Sequence, residues 1–321
     1  MTLKFILSAA LAFFANTALA SEPPRWITLG TSGGPSVQPG RAQIANALVV
    51  GDSVYIFDAG NDVQRQLARA GIPERNIKAV FLSHHHLDHN ADLGPLIVTH
   101  WLFGQGRLAV IGPSGTRTLA LGLAAANAPT ALASFPTMGP AKPAMEETIV
   151  AADLPDLTEA KVVYEDRAVR ISAIAVDHYQ VPPSVALPQL PKAVAYRIEA
   201  GGRVLVYSGD TGPSPGLERL ARGADLLITE VVDLQGIAAE LGRTMGQVPA
   251  PVRANVVAGM KVNHLTAEEI GLMASRAGVR SVVLTHFVPS PESLRDPKAL
   301  VRGVRKAFKG QVILARALQV F

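Results

Sequence analysis

The apolar run Ala79-Val80-Phe81-Leu82 stops at Ser83 and is followed at once by His84-His85-His86-Leu87-Asp88-His89. A short apolar run bounded in this way reads as a strand, so the residues after Ser83 occupy the loop at a strand end, where sites are built. His84 and His86, two apart in extended backbone, point their rings the same way; Asp88 and His89 come round on the next turn. One buried imidazole is an ordinary core feature. Three with a carboxylate are expensive to bury unless a cation satisfies them. The chain must therefore fold so that this strand end becomes a metal site, or else leave it as a solvated histidine loop.

Three later residues argue against the solvated loop. His178 follows the strand ending Ala175-Val176, Asp210 follows Val204 to Tyr207, and His286 follows Val282 to Thr285. Singly each is weak, and Asp210 in Ser208-Gly209-Asp210-Thr211 is by itself a turn former. Jointly they repeat one pattern: an apolar strand delivering a ligand-type side chain at its C-terminal end. The chain has no cysteine, so disulfides and thiolate-held zinc are excluded and any metal rests on His, Asp or Glu.

The order of elements is α/β. Antiparallel-looking runs at Trp26–Leu29, Ile44–Val50 and Val54–Phe57 lead into alternating strands and helices up to Asn127. A second β-rich stretch from Val162 to Tyr207 again leads into alternation, closing with Val312-Ile313-Leu314. Two successive β-then-α halves predict two sheets packed together with helices outside. An irregular insertion is expected near 129–157, and loops over 180–192 and 232–261 are expected to shape the pocket.

Lys4, the apolar run Phe5 to Ala15 and the small residues Ala18-Leu19-Ala20 resemble a secretory signal peptide. Residues 1–20 are therefore expected to be removed, leaving a hydrolase domain over 21–321 that is periplasmic or secreted and has no membrane span. The formal charge of +4 is spread along the chain without a Lys/Arg block. From this a small, anionic substrate and no dedicated nucleic-acid surface are expected. No oligomerisation signal is readable.

His84-x-His86-x-Asp88-His89 resembles the signature of the metallo-β-lactamase superfamily, and the likeness runs over nearly the whole chain after residue 20. The resemblance implies an αββα four-layer sandwich and a site for two zinc ions. By it His84, His86 and His178 hold the first, Asp88, His89 and His286 the second, and Asp210 bridges them. Within the superfamily, His264-Leu265-Thr266 and Ile228-Thr229-Glu230 are similar to motifs of the branch containing ribonuclease Z and exported arylsulfatase-like enzymes. Carried over, His264 is the general acid, Glu230 orients it, and Asp88 steers the proton of the attacking water.

The resemblance implies hydroxide made at the zinc pair attacking a phosphodiester or sulfate ester. A β-lactam or lactone hydrolase is the alternative, and a metal-binding protein without catalysis a further one. Leu265 and Thr229 depart from ribonuclease Z, and the short interval from His178 to Asp210 leaves little room for its long arm. Together with the export segment, this points the expectation away from transfer-RNA processing. Asp58 resembles a residue supporting the metal loop, His85 turns away from its neighbours, and His100 reads as a helix-face histidine.

Overall fold

The computed structural model describes residues 23–321 apart from 182–184, 188–189 and 295. The expected export segment lies outside the described residues. Among the described residues, fourteen strands form two seven-stranded sheets. The first contains β1 (Arg25–Gly30), β2 (Ala45–Val50), β3 (Ser53–Ala59), β4 (Ile77–Phe81), β5 (Leu108–Gly112) and β6 (Ile149–Asp153). The second contains β7 (Lys161–Glu165), β8 (Arg170–Val176), β9 (Ala193–Ala200), β10 (Arg203–Tyr207), β11 (Leu226–Val232), β12 (Ser281–Val288) and β13 (Gln311–Leu314). The last strand, β14 (Gln319–Val320), returns to the first sheet and pairs with β1.

Each sheet changes character part-way. In the first, β1, β2 and β3 pair antiparallel, while β3 to β6 run parallel. In the second, β7 to β10 are antiparallel and β10 to β13 parallel. Parallel strands are covered on both faces and so read as unbroken apolar runs. All seven residues of β11 are buried.

The helices of the first half are α1 (Val63–Arg69), α2 (Leu87–Asn90), α3 (Leu93–Phe103), α4 (Thr116–Ala126) and α5 (Ala128–Ser134). Those of the second are α6 (Pro215–Leu220), α7 (Leu234–Thr244), α8 (Ala250–Asn263), α9 (Ala267–Ala277) and α10 (Lys298–Arg305). Three apolar clusters separate the layers. One joins Ile56, Val80 and Val110 to helical Leu67, Leu93 and Ile97, and another joins Val206, Leu227 and Val282 to Leu217, Ile270 and Val304. Between the sheets lies an aromatic layer in which Phe57 stacks on Phe81 at 5.1 Å and tilts against Trp26 at 5.0 Å. This is the expected αββα sandwich.

Two segments differ from expectation. The stretch 129–157, expected to be irregular, contains most of α5 and the whole of β6, whose Ile149 to Asp153 pair in register with Leu108 to Gly112. Its short apolar run is masked in the sequence by the Ala-, Pro- and Thr-rich residues before it. The same stretch is anchored at the C-terminal end of α3, where Lys142 Nζ donates to the carbonyls of Trp101 and Leu102, both at 2.7 Å. The second segment, 232–261, is expected to be loop and instead holds α7 and α8. Of α7 only Ile237 is buried, and of α8 no residue, so neither carries the wide apolar stripe that marks a helix in sequence. Among the described residues no helix is long and apolar enough to cross a membrane.

Candidate metal centre

Beyond β4 the backbone leaves the sheet at Leu82, and α2 begins at Leu87 with His86 as its N-cap. The extended residues 83–86 set His84 and His86 on one side, and the turn of α2 brings Asp88 and His89 beneath them. His84 Nε2 and His86 Nδ1 meet at 3.0 Å, and His178 Nε2 lies 3.2 Å from His86 Nδ1. With Asp210 these form one group of candidate ligands; Asp88, His89 and His286 form a second. Asp210 stands between the groups: its Oδ2 is 3.9 Å from His84 Nε2 and 3.3 Å from His286 Nε2, and its Oδ1 is 3.4 Å from His89 Nε2. All seven sequence-predicted ligand residues are thus brought together.

Two residues reach the centre through the same local device. His286 has φ +42°, and the pairing of β11 with β12 slips there, Glu230 facing Thr285 and Val231 facing Phe287. Asp58 has φ +59°, and β2 with β3 slips likewise, Ala45 facing Ala59 and Asn46 facing Phe57. Each is the extra residue of a β-bulge, which re-aims its side chain toward the sheet end. The left-handed backbone costs a residue with a Cβ about 1–2 kcal/mol. Two glycines complete the shape. Gly209, at φ +57°, turns the chain into Asp210, and a Cβ on Gly34 would stand 2.2 Å from Asp88 Cγ.

Asp58 carries the support of the first half. Its carboxylate accepts from Ser83 N and Ser83 Oγ, both at 2.7 Å, from His89 Nδ1 at 2.7 Å and from Tyr207 OH at 2.6 Å. Since His89 Nδ1 holds the proton, its Nε2 presents a lone pair. That atom and Asp210 Oδ1 are buried without a hydrogen-bond partner, although they face each other. Two acceptors turned on one another in a dry pocket fit a cation between them. His178 is set the same way, with Nδ1 donating to Asn263 O at 2.8 Å.

The electrostatics agree. Burial holds His84 well below the usual histidine range and His178 down to about 4, so both present neutral imidazoles. Burial opposes ionisation of Asp88 and Asp210, but His89 and His286 outweigh it; Asp88 falls to about 2 and Asp210 well below the carboxylate range. Burial also opposes charge on His89, yet Asp210, Asp58 and Asp88 hold it well above the histidine range, so its Nε2 carries a proton toward Asp210 unless a cation takes that proton's place. Positive charge is what this pocket stabilises.

A third group joins Asp210, Glu230 and His264. His264 Nδ1 donates to Glu230 Oε2 at 2.6 Å and lies 3.8 Å from Asp210 Oδ2. Burial pulls its pKa down, but Glu230 carries it up to about 9. Glu230 Oε1 in turn accepts from Thr211 N at 2.6 Å. The segment is fixed by the capping box of α9, Thr266 with Glu269, two residues beyond His264.

Sequence reasoning missed four contributors. Asn263 fixes the His178 tautomer through its carbonyl, Tyr207 ties Asp58 to the second sheet, Thr211 holds Glu230, and Tyr179 lies against His84, His86 and His178 with ring centroids 4.8–5.9 Å apart. Tyr179, Thr211 and Asn263 each adjoin a predicted site residue, which is the only signal they carry, and Tyr207 adjoins none. His85 turns toward Pro113 O at 3.4 Å, and His100 is buried in α3 with Nε2 toward Gly106 O at 3.3 Å; neither joins the centre.

A family model described as a beta-lactamase superfamily domain matches residues 54–287. This chain belongs to the metallo-β-lactamase superfamily. Among curated metallo-β-lactamase relatives, ribonuclease Z of Mycolicibacterium paratuberculosis is 29% identical over 268 residues, covering 82% of this chain and 86% of the relative. Among solved structures, the short form of human tRNase Z superposes with a TM-score of 0.60 at 19% identity, over 92% of this chain and 98% of that one. Zinc-bound PqqB of Methylobacterium extorquens gives 0.61 at 16% identity, over 92% and 99%. These two likenesses show the shared fold.

The relatives correct one expectation. A small anionic substrate with no nucleic-acid surface does not stand against relatives named as ribonucleases. Net charge is a weak guide to such substrates, because a single RNA strand can be held through a few local contacts that leave no block of basic residues in a sequence.

Proposed function

We propose that this metallo-β-lactamase superfamily hydrolase is a zinc-dependent phosphodiesterase of the ribonuclease Z type, cleaving phosphodiester bonds of RNA. The observation that carries the proposal is the Glu230–His264 pair at 2.6 Å, set beside Asp210. A departing ribose oxygen is a poor leaving group and needs a proton, which His264 is placed to give. The 29% identity to ribonuclease Z supports the same reading.

His84, His86, His178 and Asp210 would hold one ion, and Asp88, His89, His286 and Asp210 the other. A thiolate-free set of imidazoles and carboxylates suits zinc. When bound, the pair supplies a water of lowered pKa and neutralises charge developing on the phosphoryl oxygens. Asp88 Oδ2, 3.2 Å from His286 Nε2, is placed to take the proton of that water. Glu230 keeps His264 protonated and aimed. As the water oxygen forms its bond to phosphorus, the bond from phosphorus to the leaving oxygen breaks and that oxygen takes the His264 proton.

Export through residues 1–20 is proposed alongside, so that the enzyme meets RNA outside the cytoplasm. N-terminal sequencing of the protein recovered from the periplasm tests it: Ser21 at the terminus is expected. The activity is tested by elemental analysis and by turnover of bis-p-nitrophenyl phosphate and of an RNA with a 3′ extension. About two zinc ions per chain and cleavage of both substrates, abolished by chelation, are expected. Turnover of p-nitrophenyl sulfate or a cephalosporin with neither phosphodiester cleaved would overturn the proposal.

A further inference from the structure

A cavity of about 480 Å³ lies between α6 and α9, apart from the metal centre. Its walls are apolar, formed by Leu217, Leu265 and Met273, with Leu272 at the edge. The volume is in the range of small-molecule sites. The charges around it are unequally engaged. Glu218 is held by Arg276 through three bonds of 3.1, 3.0 and 2.7 Å, and Glu269 by the α9 capping box. Arg219 donates to Thr158 O at 3.1 Å. The Arg222 guanidinium makes no hydrogen bond or close ion pair among the described residues and acts on Glu218 only at longer range, leaving positive charge at the rim. Ser214, 8% exposed, forms part of the wall, and its hydroxyl is buried without a hydrogen-bond partner.

The cavity also touches the catalytic segments from behind. Leu265 follows His264 directly, and Pro213 follows Asp210-Thr211-Gly212. We propose that this cavity is a second binding site, for an amphipathic carboxylate with an apolar body along Leu217, Leu265 and Met273 and its acid toward Arg222. Occupancy presses on Leu265 and so changes the setting of His264. An apolar chain fits the walls, and a guanidinium selects a carboxylate over a neutral head.

The test is calorimetric titration of the full-length protein with decanoate, with decanol as the neutral control, before and after metal chelation. Saturable one-to-one binding of decanoate is expected, unchanged by chelation and at least about tenfold tighter than decanol, consistent with a charge-assisted contact. Met273→Trp, which fills the cavity, and Arg222→Glu, on an exposed side chain, are each expected to weaken it by about tenfold or more. Arg222→Glu keeps the test alive if Met273→Trp does not fold. Saturating decanoate is expected to change bis-p-nitrophenyl phosphate turnover at least about twofold in the wild type and not in Met273→Trp. Binding lost on chelation would place decanoate at the metal centre and overturn the site. So would absent saturation, or equal binding in both variants. Decanol binding as tightly as decanoate would overturn the carboxylate, and binding without any change in turnover would overturn the coupling. The binding arms need no activity, so they stand apart from the phosphodiesterase reading.

Discussion

The first sheet delivers His84, His86, Asp88 and His89 from one loop after β4, whereas the second half delivers His178, Asp210, Glu230, His264 and His286 from separate segments. In the first case covalent neighbourhood does the assembling: once β4 ends, the four side chains cannot be far apart. In the second, assembly depends on the register of β8, β10, β11 and β12, and on α9 starting at its capping box. Yet both halves aim one residue by a bulge with left-handed backbone, Asp58 in the first and His286 in the second. A dense motif gives proximity; a distributed set gives a centre that exists only when the sheets are packed.

Asp210→Ala removes the residue that stands between both groups, and should have the largest effect. A turnover loss of roughly 10³-fold is expected, with less metal retained than in His84→Ala by elemental analysis. Full metal content in Asp210→Ala would break the comparison, because the local motif would then suffice alone. His264→Ala is expected to cost roughly 10²-fold in kcat while metal content is unchanged. The deficit should be greater for RNA than for bis-p-nitrophenyl phosphate, whose leaving group needs no proton.

Asp58→Asn tests the support beneath the motif. Metal affinity in competition with a chelator should fall by about 10- to 100-fold. Tyr207→Phe removes only the bond from the second sheet, and unfolding should show a loss of about 1 kcal/mol. If Tyr207→Phe matched Asp58→Asn in metal affinity, the two halves would be a single support.

The smallest effect concerns another link between the sheets. Asp166, in the turn joining β7 to β8, accepts from Tyr55 OH of β3 at 2.7 Å and from Tyr164 OH at 3.0 Å. Burial favours its neutral form, but the bonds from Tyr55, Ala168 and Val169 outweigh this and lower its pKa. A depressed carboxyl stabilises above its ordinary value of 3.8 and loses that contribution as pH falls through the folded value. The urea midpoint of the wild type should therefore approach that of Asp166→Asn on acidification below pH 3.8. A constant gap down to the lowest folded pH would show that Asp166 does not titrate as a cross-sheet acceptor.

The same contrast decides what could be read from residues alone. His84, His86, Asp88 and His89 are legible because their spacing is their geometry. His178, Asp210 and His286 were reachable because each follows an apolar run, but nothing in the sequence marks the slip that turns His286 inward or raises Asp58 toward His89. Asn263 acts through a main-chain carbonyl, which any residue has. The helices α7 and α8 look like loop in the sequence because they bury almost nothing, and β6 is hidden there because a five-residue edge strand sits behind a Pro-rich approach. Sheet order and αββα layering were accessible from alternation and burial, whereas bulges, caps and carbonyl contacts depend on partners distant in the chain.

Of the seven ligand-type side chains only His86 is exposed, beside Leu87 at 63% exposure; the other six are buried. Exchange with solvent is therefore lopsided. An ion held by His84, His86 and His178 would have one solvent-exposed ligand through which a chelator can begin to strip it, and an ion among Asp88, His89 and His286 would have none. Removal should follow two phases, a fast release and then a slow one limited by opening of the protein, with reloading in the reverse order. A centre loaded with two ions would thus have a labile member and a resident one, and a half-loaded enzyme would hold its ion on the Asp88 side.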